Sequence, residues 1–441
     1  MIKEWKVYAP SQSMPWNIDR VKHLHRRAAF GATWSELQRD LQSGPEAAIE
    51  RLLRGKPRSD GQREDFESIA SVIGDAAAHS DDENRLKAWW LFRMLFTPDP
   101  LREKLTLSWH NHFATSNLKV NDLQLMRQQN ELLRQHATGR FGKLLAAIVH
   151  DPAMLVWLDA NSNRRGHPNE NLARELMELF TLGSGNFGEE DVKQAAKALS
   201  GWSIKSGAIQ YREEHHDASD KAILGEMFNF DVDSLSVLLL KQEATSHRIA
   251  WRLCDLLMGE GAVSADATDE LARGLRERQL DVSWAVETIL RSELFFAHKN
   301  IGSRVSSPVE YALSTVRALE MLDKPPSTLV LAEWCTQLGQ DLFRPPNVGG
   351  WSGGRNWLNS RTVVGRFNFA AALVAGEMQS PVQPPDLSKL VERLTSESKL
   401  GPTEALATLL LSNASRTSAG TEESVSQLVV QLLTDPQAFL T

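Results

Sequence analysis

Apolar residues recur along this chain at intervals of three and four, the spacing that gathers them on one face of an α-helix. The stripes run Leu86-Trp90-Met94, Leu101-Leu105, Leu172-Leu176-Leu179, Val192-Ala195-Ala196-Leu199, Ile249-Leu253-Leu256 and Val309-Leu313-Val316. They predict an all-α fold, a large helical bundle-like body. Asp99-Pro100 and Asp151-Pro152 each read as an N-cap followed by proline at the first helical position, and Gly183, Gly201 and Gly302 read as helix stops. The main interruption lies between Ser203 and about Asp231. There Ala208-Ile209-Gln210-Tyr211-Arg212 predicts a short strand, so a small β-hairpin is expected near residues 203–217, followed by a polar loop.

Two polar, Gly- and Pro-bearing stretches, Arg54–Asp65 and Gln379–Asp386, read as surface segments too short to divide the chain. No repeat of about 30 to 45 residues marks a helical solenoid. Residues 1–441 are therefore read as one all-α domain, with 376–441 as a C-terminal helical cap.

Charge and composition then narrow the classes. The chain has 441 residues, 49 Lys+Arg against 56 Asp+Glu, and a formal charge of −7, with no basic patch of the kind nucleic-acid binding needs. No apolar run approaches the roughly 20 residues of a membrane span. The start, Met1-Ile2-Lys3-Glu4-Trp5, carries no apolar export segment, so by its own signals the chain is expected in the cytoplasm. Two distant cysteines, Cys254 and Cys335, fit a reduced compartment and supply no Cys-rich metal site. Thirteen Trp against three Tyr is unusual. Indoles stack on the flat faces of sugars, and they also fill helix–helix contacts.

Four stretches concentrate polar residues beyond what a helical core requires. They are Trp109-His110-Asn111-His112-Phe113; Asn169-Glu170-Asn171-Leu172-Ala173-Arg174-Glu175-Leu176-Met177-Glu178-Leu179; His215-His216-Asp217; and the run from Pro345 through Asn347, Gly349-Gly350-Trp351 and Gly353-Gly354-Arg355 to Trp357. In this order they resemble the bacterial family catalogued as domain of unknown function 1800, over about residues 20–375. The resemblance implies a shared fold and no established activity. Members often lie beside genes for exported proteins of the family catalogued as domain of unknown function 1501, which looks like the alkaline phosphatase and sulfatase fold, and this suggests a partner. Phe180 stands where many members have His, and the export signal of many members is missing.

Residue by residue, each stretch has a chemical and a structural reading. His110 and His112 are two apart on a helix, about 200° around, so they do not share an ion unless the helix ends there. Each reads equally as a buried, hydrogen-bonded imidazole. Glu170, Arg174 and Glu178 follow at i, i+4 and i+8 on one face, while Glu175 abuts the apolar stripe. That pattern is either an exposed ion-pair ladder or a set of acid–base groups. His216 and Asp217 offer imidazole and carboxylate ligands to a divalent metal ion, or are solvated loop charge. The glycine pairs around Trp351 and Trp357 make either a rigid substrate-holding loop or a structural corner.

The four stretches are expected to converge on one polar cleft of a hydrolase that uses metal-assisted or acid–base chemistry on carbohydrate or another polar substrate. Its catalytic groups would be Glu175, Glu178, Arg174, His110 and His112; Asn171, Asn347, Trp351, Arg355 and Trp357 would bind substrate, and His216 and Asp217 would hold the metal. The alternative is a non-catalytic helical partner of an exported protein, leaving the cell with it.

Overall fold

The computed structural model describes residues 3–55, 62–205, 208–378, 382–413 and 424–441. It is 62% helical, with 21 helices and two small antiparallel two-stranded sheets among the described residues, as the apolar periodicity predicts. Parts of both polar surface stretches, 56–61 and 379–381, lie outside the described residues.

The expected hairpin is present: β1 (Trp202–Lys205) pairs with β2 (Ala208–Tyr211), Trp202 opposite Tyr211. The segment expected to be a polar loop holds a second one, β3 (Lys221–Ile223) with β4 (Glu226–Phe228). Its turn residues, Leu224 and Gly225, both have positive φ, +50° and +82°, the geometry of a tight hairpin turn. Leu224 is held there by its N–H, which donates to the Asp191 carboxylate at 2.7 Å.

Three helices place the candidate site. The Pro100–His112 helix is buried around most of its circumference, including Glu103 and Lys104, where the sequence suggested one apolar stripe. Buried charges need partners. Glu103 receives Arg93 Nε at 3.1 Å and Arg134 Nε at 2.6 Å, while Lys104 pairs with Glu310 and donates to the Ala29 carbonyl. Glu310 belongs to the Pro308–Ala318 helix, which opens with a Ser307/Glu310 capping box. The Glu243–Met258 helix buries Ile249, Ala250, Leu253, Cys254 and Leu257 and ends at Gly259, φ +102°. Its other face carries Arg248, Trp251, Arg252 and Asp255.

Two large apolar clusters form the core, and Val305, Trp351 and Trp357 make a third, small one. Leu24 and Ala28 of the Ile18–Ala28 helix join one and Val21 of the same helix joins the other, so that helix serves both. The helices at Leu387–Ser398, Pro402–Leu410 and Val425–Thr434 contribute Leu394, Leu406 and Val429 to the second cluster, together with Trp34 and Phe369. Lys22 fastens this part by donating to the Thr408 and Leu411 carbonyls.

Candidate functional site

The last turn of the Pro100–His112 helix is a hub with three arms. Asn111 Oδ1 accepts from the Trp351 N–H at 2.7 Å and Asn111 Nδ2 donates to the Trp351 carbonyl at 3.2 Å. The loop approaches this closely because residue 350 is glycine. Its φ is +77°, and a Cβ would stand 2.2 Å from Asn111 Oδ1. His110 packs its ring against Trp90, Phe343 and Trp351, with centroids 5.1, 5.6 and 5.7 Å away. Its Nε2 is buried with no hydrogen-bond partner, and burial lowers its pKa to about 3, so the ring is neutral.

His112 points elsewhere, its ring packed against Phe113, Phe141 and Phe180. The two histidines thus serve different surroundings, as their spacing predicts. His112 Nε2–H donates to the Phe180 carbonyl at 3.1 Å, leaving Nδ1 buried and unpartnered. Burial, then Arg252 and Arg248, hold its pKa well below the usual imidazole range. Arg248 Nη2 donates to the neighbouring Leu179 carbonyl at 3.3 Å. His112 and Arg248 therefore satisfy carbonyls at the end of the Glu-rich segment, which a helix end leaves open.

That segment is not the regular helix its spacing suggests. It is α-helical over Asn171–Glu175 and π-helical over Leu176–Thr181, with the Leu182 N–H reaching the Met177 carbonyl at 2.8 Å. The wider turn breaks the second rung of the expected i, i+4, i+8 ladder, between Arg174 and Glu178, and leaves the first. Arg174, expected among the catalytic groups, meets Glu170 at 3.1 Å and is gripped by both oxygens of Glu189 at 2.9 and 2.8 Å. Glu178 accepts from Ser184 Oγ at 3.0 Å. Glu175 is half-buried, its pKa raised by burial and then by Glu178. Phe180, in the place of the family's frequent His, is buried against Phe113.

The expected convergence is partial. A cleft of about 250 Å³ is lined by Asn111, Trp351, Asn356 and Trp357 from the first and fourth stretches, and by Trp251, Arg252, Asp255, Glu260, Arg304 and Glu310. Glu175, Glu178 and Arg174 do not line it, and neither do His110 and His112, which lie behind its wall. Asn347 is spent on its own turn, accepting from the Gly349 N–H at 2.8 Å, and Arg355 is exposed outside the cleft. Asn171 donates to Asp159 at 3.2 Å. Of the five residues assigned to substrate, only Trp351 and Trp357 line the cleft.

The His216-Asp217 loop forms a separate unit against β1 and β2. The His216 Nδ1 lies 3.1 Å from the Ser200 carbonyl, and Asp217 accepts from the Ser219 N–H and Oγ. Among the described residues no group of three or more His, Cys, Asp or Glu side chains is arranged to hold a metal ion. The two residues fit a self-bonded loop better than a ligand set.

The charged side chains of the cleft are residues the sequence did not single out. Lys104 and Arg304 are both taken by Glu310, the latter at 2.5 Å. Among the described residues, no hydrogen bond or ion pair reaches the side chains of Arg252, Asp255 or Glu260. Burial raises the Asp255 pKa, opposed by Arg304 and Arg252 and reinforced by Glu260. An Arg and an Asp three apart on a helix read in sequence as an ordinary ion pair. That they remain unpaired is visible only in three dimensions.

Fold and cleft define a mostly helical protein with an indole-lined polar pocket. The chain belongs to the family described as a protein of unknown function, DUF1800, whose profile matches residues 23–440. The match runs past residue 375, so the C-terminal helices are part of the family's common body. Neither curated proteins nor solved structures gave a match.

Proposed function

We propose that the cleft between Trp351, Trp357 and the Glu243–Met258 helix is the active site of a hydrolase acting on carbohydrate or a closely related polar substrate by acid–base chemistry. The observation that carries this is the Asp255 carboxyl, unpaired, its pKa raised by burial, and facing a 250 Å³ cleft beside three indoles. A carboxyl so placed suits proton donation to a leaving oxygen. Glu260, the second unpaired carboxylate of the cleft, takes the proton of the attacking water. Trp351 and Trp357 hold the substrate, with Asn111 fixing the backbone between the cleft and the hub.

Turnover of a panel of 4-methylumbelliferyl glycosides tests this. The wild type should release fluorophore from at least one of them, Asp255→Asn should lower the rate by about 100-fold or more, and Glu175→Gln should leave it unchanged. No turnover of any member, or full activity in Asp255→Asn, would contradict the proposal.

A second reading, a helical partner of an exported protein, draws on one observation: Met227 and Phe228 of β4 are 69% and 57% exposed at the second hairpin. Met227→Ser with Phe228→Ser would then abolish capture of an exported protein of the domain of unknown function 1501 family while sparing the cleft.

A further inference from the structure

The Arg252 guanidinium is set apart from the other arginines of the fold. Several have an Nε that is buried without a partner, but each of those is anchored through another nitrogen or an ion pair. Arg27 donates to the Thr441 carbonyl, Arg366 to the Ser306 carbonyl, and Arg304 to Glu310. Arg252 alone among them has no acceptor at any nitrogen in the described residues. It rests against the Trp251 ring, with its Cζ 5.4 Å from the centroid, and Arg248 takes a like position at 5.3 Å. Both cations and the partly exposed indole belong to one helix.

The Arg252 Nε is buried without a partner, while the residue as a whole is partly exposed at the cleft. Burial, and then Arg248 beside it, lower the Arg252 pKa to about 10, with Asp255 opposing them. The carboxylate nearest in sequence, Asp255, lies one turn along the same helix and makes no ion pair with it. Glu310, the fully buried acid of the cleft, is already shared by Lys104 and Arg304. The protein thus holds a planar, five-donor fork at the cleft and supplies it with no acceptor.

We infer that the ligand of this cleft carries an anionic group, a carboxylate or a phosphate, which docks on the Arg252 guanidinium while the indoles hold its apolar face. The inference rests on the cleft being the ligand site and names its substrate class: an acidic saccharide unit. A guanidinium pairs in two-pronged fashion with carboxylate and phosphate alike. A neutral polyol can accept from the fork through its hydroxyls but leaves the charge unpaired, and an anion forms the stronger charge-assisted pair.

Calorimetric titration of the full chain with tetragalacturonate, its methyl ester and inorganic phosphate tests it. The acid should bind at least tenfold more tightly than the ester. Arg252→Gln should abolish that preference, and Arg252→Lys should restore part of it. Binding of phosphate alone, lost in Arg252→Gln, would support the anion site and assign its charge to a phosphate ester. Equal binding of acid and ester, unchanged by Arg252→Gln, would overturn the inference and leave the cleft standing as a neutral-sugar site. Binding of none of the three probes would overturn both. The comparison of acid with ester is made on the wild type, so it holds even if a variant fails to fold.

Discussion

Asn111 and Trp351 stand 240 positions apart, yet one side-chain amide makes both hydrogen bonds of the Trp351 backbone. The amide substitutes for a neighbouring strand and fixes the loop at the cleft wall. Asn111→Ala strands a donor and an acceptor at once and should destabilise the fold by about 2–3 kcal/mol. Gly350→Ala places a methyl group against that same amide at positive φ, for about 3 kcal/mol or more. Urea denaturation gives both values, and amide exchange should show faster exchange concentrated at residues 349–357.

The Lys104–Glu310–Arg304 cluster forms the floor of the cleft from fully buried or nearly buried charges. Arg304, then Lys104, hold the Glu310 carboxyl well below the usual carboxylate range against the opposing effect of burial. Glu310→Gln leaves two cations without their shared partner and should cost about 3–5 kcal/mol. Denaturant midpoints of Glu310→Gln and of the exposed control Glu392→Gln should differ accordingly.

Asp151 titrates in the opposite sense. It is buried and caps the Pro152–Trp157 helix, accepting from the Met154 N–H at 2.8 Å and Gln129 Nε2 at 2.7 Å, and burial pushes its pKa up to about 7 from an ordinary 3.8. The folded state therefore binds a proton that the unfolded chain has released. This contribution to stability is present below about pH 4 and is lost as pH rises to about 7, worth up to about 4 kcal/mol at 1.36 kcal/mol per unit. Asn keeps both hydrogen bonds and carries no charge. Asp151→Asn should flatten the profile between pH 4 and 7 and raise stability at pH 8, which thermal denaturation across that range will show.

Much of this was legible in the sequence, and the failures have identifiable causes. Helical stripes and the first hairpin were readable because their apolar periods are undisturbed. The second hairpin was not, because its turn is Leu224-Gly225 and a leucine at positive φ lacks the Asn-Gly signal; its support comes from Asp191, far away in sequence. The Arg174–Glu178 rung of the Glu ladder failed for a local reason, the π-helical turn, while Glu170 and Arg174 pair as their spacing predicts. Trp351 and Trp357 were singled out by the glycines around them, and both are buried in a small apolar cluster with Val305 at the cleft wall, as the structural-corner reading has it. The partners Arg252 and Asp255 were hidden because a charged helix face gives no sign of whether its ions meet.

The histidine motif itself is largely architectural. His112 caps the Glu-rich segment at Phe180 and His110 backs Trp351. Replacing His112 by Ala should lower stability by about 1–3 kcal/mol, measured by thermal denaturation, with residual glycoside turnover per folded molecule unchanged.

The central claim, that Arg252 and Asp255 are held unpaired for a ligand, is tested most directly by measuring stability and turnover on the same preparation of Asp255→Asn. A buried group kept for chemistry burdens the fold. The account predicts that Asp255→Asn is as stable as the wild type or more so, while turnover is lost. A fall in stability of more than about 2 kcal/mol, the loss expected for a satisfied buried polar group, with turnover per folded molecule retained, would contradict it.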